Sequence, residues 1–229
     1  MELVGLLGRT VLVAVLLILS SVAVRRSIAA SNGGTIPDEG ISIRNVVEVI
    51  LEGLTDLAQQ TMGAEWKKWF PFVGAMFFFI LIANLLGLIP GFAITDNVNV
   101  AAAWALISYV LFNYVGIREH GLGKYLLKYM GPTFYVWHVG GKHIHVRPLF
   151  FIFFPLEVTL DAARMVTLTI RLIANMFADH TVVAVFLGLV PALVPAIFIG
   201  LGVIIAVLQA FVFSLLTMIY INIALQEAH

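Results

Sequence analysis

The sequence predicts an all-α membrane protein, a single polytopic domain with five membrane-embedded helices and one amphipathic helix on the membrane surface. Three observations carry that reading. Of 229 residues, 61% are hydrophobic and only 11% charged, against roughly 45–50% apolar usage in soluble domains. Apolar runs recur at the length of about 20 helical residues that a hydrocarbon core requires. Lysine and arginine collect in alternate connections and avoid the others, as membrane topology demands.

The first span is Leu3 to Val24, closed by the pair Arg25 and Arg26. Its apolar run is long for a signal sequence and its charged pair follows rather than precedes it, so it reads as a retained helix. From Ile43 to Met62, Val46, Val47, Ile50, Leu54 and Leu57 recur at helical spacing with Glu48, Glu52, Asp56 and Gln59 between them, the pattern of an interfacial amphipathic helix. Trp69 to Ile94 forms the second span, introduced by the belt Trp66-Lys67-Lys68-Trp69. Val100 to Ile117 forms the third, followed by a basic connection over 118–147. The remaining apolar region is expected to form a hairpin of two long helices, 149–190 and 196–226, broken at Pro191 and Pro195. The stretch Leu156 to Leu187 alone holds 32 residues without glycine or proline, roughly 48 Å of helix against a core of about 30 Å, so strong tilt is expected.

Orientation follows from charge. Arg25, Arg26, Arg44, Lys67 and Lys68 lie in one connection and Arg118, Lys124, Lys128, Lys142 and Arg147 in another, whereas Gly91 to Asn99 holds only Asp96 and the Pro191 turn holds no charge. The N-terminus is therefore expected outside and the C-terminus in the cytoplasm. Compact length and the lack of a presequence lead to the expectation of a bacterial inner membrane, although an organelle-encoded chain would look similar.

Composition also excludes several activities. Cysteine is absent, which removes disulfides, thiolate metal sites and thiol catalysis. Thirteen basic residues balance thirteen acidic ones, so no charge excess points to nucleic acid. Neither a GxxxxGK(S/T) loop nor an HExxH helix occurs. The chain is not expected to be an enzyme by itself, and no cofactor is expected.

Arg171 is the residue that demands a function. An arginine at membrane depth costs from about 3 to more than 10 kcal/mol, and such residues face a water-filled path or a partner charge. Its guanidinium holds its proton at any physiological pH, so it can attract, repel or block but cannot relay. At 100° per residue, Glu157, Asp161, Arg164, Arg171, Asn175 and Asp179 share a stripe about 80° wide, with His180 off it near 140°. Asp161 and Arg164 are three apart and can neutralise each other. Positions 167, 168, 174 and 175 offer Arg171 no acid, so its natural partner is a carboxylate outside its own helix. On the last helix Gln209 and Tyr220 share one face, with Thr217 beside it.

The run Thr169-Ile-Arg171-Leu-Ile-Ala-Asn175-Met-Phe-Ala-Asp179-His180, preceded by Phe154-Pro155-Leu-Glu157, resembles the core signature of the a subunit of rotary ATP synthases, the membrane stator beside the c-ring. Asn84-Leu-Leu-Gly87-Leu-Ile-Pro90-Gly91, Asn97-Val-Asn99-Val and Gln209-Ala-Phe-Val-Phe-Ser-Leu-Leu-Thr-Met-Ile-Tyr220 agree with it in order. The likeness runs from about Ser21 to the C-terminus. It implies two aqueous half-channels, with Arg171 between them facing a carboxylate on each passing c subunit and blocking direct proton passage. It further implies Asn84, Asn175, His180 and Gln209 along the outer half-channel and Glu157 along the inner one. Asp179 is assigned to the path by its place on the stripe as well. Asp161, Arg164 and Tyr220 are secondary polar positions. The implied partners are the c-ring, b-type peripheral stalk subunits and membrane lipids. One position departs from the family pattern: Gly202 stands where a second ionisable residue is common, seven before Gln209.

Other features carry less. His138, His143 and His145 lack accompanying carboxylates or cysteines, so their segment reads as a solvated basic loop against lipid head groups or a peripheral stalk, and no metal is expected. Gly200 and Gly202 suit close helix packing. A substrate-binding secondary transporter would show internal repeats, and none is visible; a purely structural scaffold leaves Arg171 without a reason.

Overall fold

The computed structural model describes residues 2–30, 42–89, 92, 94, 97–127, 135–139, 142–146, 150–189 and 193–226. Among them are six α-helices: α1 (Glu2–Ala30), α2 (Ile43–Met62), α3 (Trp66–Gly87), α4 (Val98–Leu127), α5 (Phe150–Leu189) and α6 (Leu193–Gln226). The chain is an all-α, multi-pass membrane protein. Four stretches are long and apolar enough to cross a membrane: Gly5–Arg26, Arg44–Gly87, Val98–Tyr125 and Ala196–Gln226. The expected fifth span, α5, is 40 residues long but carries Glu157, Asp161, Arg164, Arg171 and Asp179. Asp96, Lys128, Arg147 and Pro191, used in the topology reading, lie outside the described residues.

The amphipathic helix α2 starts where the Ser42 hydroxyl accepts the Asn45 amide at 3.1 Å and stops at Gly63, whose φ of 60° suits glycine. Leu54, Ala58 and Met62, four apart, are its buried ridge. A short 3₁₀ turn, Gly63–Glu65, joins it to α3.

The core gathers around α6. Leu54, Phe77, Ile80, Leu81, Ala105, Leu172 and Phe213 form one cluster that joins α2 through α6. Trp69, Val73, Phe112, Val115, Met218 and Ile221 form a second towards the end of α6. α1 stands apart, with Val13 its buried contact in a small cluster with Phe79, Ala83 and Ile94.

Pairings fix the helix directions. Ser108 meets Thr217 at 2.9 Å and His120 Nε2 lies 3.0 Å from the Ala224 carbonyl, so α4 and α6 run parallel. Arg164 lies over the Tyr220 ring and Asn175 reaches Gln209, so α5 and α6 run antiparallel.

Two elements differ from the sequence expectation. The third span does not end at Ile117: α4 continues to Leu127, and at Gly121 (φ 75°, ψ 152°) its last turns fold back. Tyr125 then packs on Gly116, where any Cβ would strike its ring, and donates to Asn113 Oδ1 at 2.8 Å. The second departure lies in the basic connection. There Tyr135–Val139 and Lys142–Val146 pair as an antiparallel hairpin, β1 and β2, separated in sequence by Gly140 and Gly141, the residue type that two-residue hairpin connections favour.

Candidate functional site

The polar residues of α5 run from the middle of its buried face to its margin. Asp161, Leu168, Leu172 and Met176 are its buried residues, and at 100° per residue they centre near 55° on the wheel used above, while Arg171 falls near −40°. Arg171 is half-buried at that margin and makes no hydrogen bond or ion pair with any described residue. Beside it, between about −60° and −120°, run Ala163, Thr167, Ala174, Ala178 and Thr181, all exposed. A charge without a partner thus borders a lane of small side chains open to the outside of the bundle.

Arg164, two turns away, behaves differently. Its Nη1 donates to Asp161 Oδ1 at 3.0 Å, Asp161 is fully buried, and the guanidinium sits 5.1 Å from the Tyr220 ring centroid. These three residues form a structural group: the aromatic face and the carboxylate offset the cost of keeping the cation near the core.

One turn beyond Arg171, Asn175 Nδ2 donates to Gln209 Oε1 at 2.7 Å, joining α5 to α6. Gln209 is 4% exposed, and its Nε2 is buried without a hydrogen-bond partner among the described residues. An amide donor in that position needs a water or an approaching acceptor.

A further turn on, the site reaches the end of α3. His180 Nε2 lies 2.7 Å from the Gly87 carbonyl; a carbonyl can only accept, so Nε2 carries the hydrogen. Gly87 ends α3, and its carbonyl is among the groups a helix terminus leaves without intrahelical partners. Asn84, 1% exposed, is buried in the preceding turn of α3. Asp179 faces α6: a Cβ added at Gly202 would lie 3.7 Å from Asp179 Oδ2 and 2.6 Å from Leu88 Cδ2. Where the sequence pattern left an ionisable residue missing on α6, a carboxylate of α5 stands beside the gap.

Glu157 is half-buried and stands apart, two turns before Arg164. No described residue bonds it. Among the residues whose side chains are described, no group of three histidine, aspartate or glutamate side chains is placed to hold a metal ion.

The chain matches the ATP synthase A chain family over residues 7–222. It belongs to that family. It is 37% identical to ATP synthase subunit a 3 of Pelobacter propionicus over 96% of this chain and 87% of that protein. Identity to ATP synthase subunit a of Geotalea uraniireducens is 38% over 95% and 86% of the two chains. For subunit a of Bdellovibrio bacteriovorus it is 35% over 90% and 85%. The matched region of this ATP synthase A chain family member spans every polar pairing between α5 and α6 described above.

One member of the site was not legible in the sequence: the Gly87 carbonyl is a backbone group and leaves no residue signal.

Proposed function

We propose that this chain is the ion-translocating stator subunit of a rotary ATP synthase, non-catalytic by itself, working against a ring of carboxylate-bearing c subunits and held by b-type stalk subunits in a bacterial inner membrane. The observation that carries this is Arg171, without a hydrogen bond or ion pair among the described residues, at the open margin of α5 beside a lane of alanines and threonines. Small side chains let a second helix approach closely, and a helix in that lane would bring its own carboxylate to Arg171. The guanidinium would hold the carboxylate ionised and, being unable to release a proton itself, would keep the two half-channels from exchanging protons directly.

Residues above and below Arg171 then serve as two paths. Asn175, Gln209, Asn84, Asp179 and His180 lead from Arg171 towards the end of α3 and supply the outer half-channel, with Asp179 filling the role that Gly202 leaves open on α6. Glu157 serves the inner path. The N-terminus lies outside and the C-terminus inside.

The chain lacks cysteine, which makes a cross-link unambiguous. Ala174→Cys, on the open lane, is expected to join by oxidation to a cysteine on the outer helix of the c subunit within the assembled complex. Leu106→Cys, exposed on α4, is expected to give no such product. Cross-linking from Leu106→Cys but not from Ala174→Cys would remove the lane from the ring interface.

A further inference from the structure

The C-terminal end of α6 is a helix end with no charge of its own. From Leu193 to Gln226 the helix contains no Asp, Glu, Lys, Arg or His, and so no basic residue in its last turn. The last four carbonyls of a helix lack intrahelical partners, and partial negative charge gathers on them. Ala224 supplies one of these carbonyls, and the group that reaches it comes from another helix: His120 Nε2 of α4 lies 3.0 Å away. A carbonyl can only accept, so Nε2 carries the hydrogen, and that donor is available in both the neutral imidazole and the imidazolium.

His120 is mounted on a fixed corner. Gly121 follows it with φ 75° and turns the chain back, and buried Tyr125 then packs on Gly116 and donates to Asn113 Oδ1. On the other side of His120, Glu119 lies 3.8 Å from Lys68 of α3, which also pairs with Glu65. The corner thus joins α3, α4 and α6. The charged groups around it are Arg118, Glu119 and Lys124 on α4, Lys67 and Lys68 on α3, and Asp56 on α2, whose Ala58 and Met62 share a core cluster with Ala224. The antiparallel α5 brings Glu157 and the pair Asp161 and Arg164. In sequence, Glu227 and His229 follow α6. Among the described residues no carboxylate pairs with the imidazole, whose hydrogen bond goes to Ala224.

We propose that His120 is a proton-sensitive latch on the end of α6. Neutral, it holds Ala224 by a hydrogen bond; protonated, it also places a cation at a helix C-terminus that has none, an addition worth about two- to fivefold in the closing equilibrium. Imidazole changes charge nearest neutral pH, so the latch tightens as pH falls through that range and slackens as it rises. It fastens the end of α6 that carries Tyr220, the ring against which Arg164 lies. The latch does not depend on the stator function proposed above; in the orientation proposed there it senses inner pH.

The test uses the full chain in detergent at pH 6 and pH 8, with hydrogen exchange of 221–226 expressed as protection factors, which removes the intrinsic pH dependence of exchange. Opening of a helix end is a local event that such factors read directly. Protection of 221–226 is expected to be about two- to fivefold greater at pH 6, with 205–212 in the middle of α6 unchanged. His120→Gln keeps an N–H donor but cannot gain charge, and His120→Lys is charged at both pH values, so each should lose the difference. His229→Gln should keep it. Equal protection at the two pH values in the native chain overturns the latch, as does a native difference surviving in His120→Gln or vanishing in His229→Gln. If His120→Gln does not fold, His120→Lys decides in its place, and a native difference there overturns the proposal.

Discussion

At the scale of single residues, two arginines on one helix show how placement decides role. Arg164 and Arg171 are seven apart and lie on the same stripe, yet Arg164 is held by Asp161 and Tyr220 while Arg171 has no described partner. A satisfied ion pair holds structure; an unsatisfied charge at a bundle margin awaits a ligand. Arg171→Ala is therefore expected to leave the protein folded and assembled but to abolish ATP-driven proton pumping, read as acridine-dye quenching in inverted vesicles. Arg171→Lys should restore little, because an ammonium is more strongly hydrated and loses its proton more readily when desolvated. Coupled pumping at the native rate in the alanine variant would contradict the barrier role. The pair Asn175 and Gln209 gives a different expectation. Asn175→Ala deprives a buried amide of its one described hydrogen bond, a loss worth about 1–3 kcal/mol, so this variant should melt earlier in detergent; an unchanged melting temperature would show that water already replaces the bond.

At the scale of elements, what could be read from the sequence follows from what periodicity records. The polar stripe of α5 was legible because 100° per residue turns spacing into a face, and the structure sets that face at the edge of the core. The pairing of Asp179 with Gly202 was not legible, since no local pattern says which turn of α6 meets which turn of α5. The reversal of α4 was hidden for another reason: Arg118 to Lys124 reads as a polar run after a span, and only the backbone at Gly121 shows the fold-back. That angle pair is open to glycine almost alone, and another residue there costs about 1–3 kcal/mol. Gly121→Ala and Gly116→Ala should both detach Tyr125 from Asn113, the first through the backbone and the second through the ring that a Cβ would strike. Gly123→Ala meets nothing within 4 Å and has no positive φ, so it should leave the tail in place. Hydrogen exchange of residues 122–127 separates the cases, and equal protection in all three variants would refute this account of the turn.

At the scale of the whole molecule, the antiparallel run of α5 and α6 sorts the polar residues by end. His180 touches the last residue of α3 and Asp179 stands beside Leu88 and Gly202. Arg164 meets Tyr220, which packs against Phe112 and the core cluster of Trp69, Met218 and Ile221 at the opposite end, and Glu157 lies two turns further in that direction. From Glu157 to Asp179 is about 33 Å along α5, enough to span the hydrocarbon core, with Arg171 between them. If the two ends serve opposite faces of the membrane, substitutions at each should be sensed from one side only. Imidazole is the side chain whose charge changes nearest neutral pH, so His180→Ala should alter how flux depends on outer pH and leave the inner-pH dependence as it was. Glu157→Gln should alter the response to inner pH instead. Proton flux in reconstituted vesicles, with the two pH values set independently, reads both. If both variants respond to the same side, α5 does not carry the two paths at its two ends, whatever Arg171 does between them.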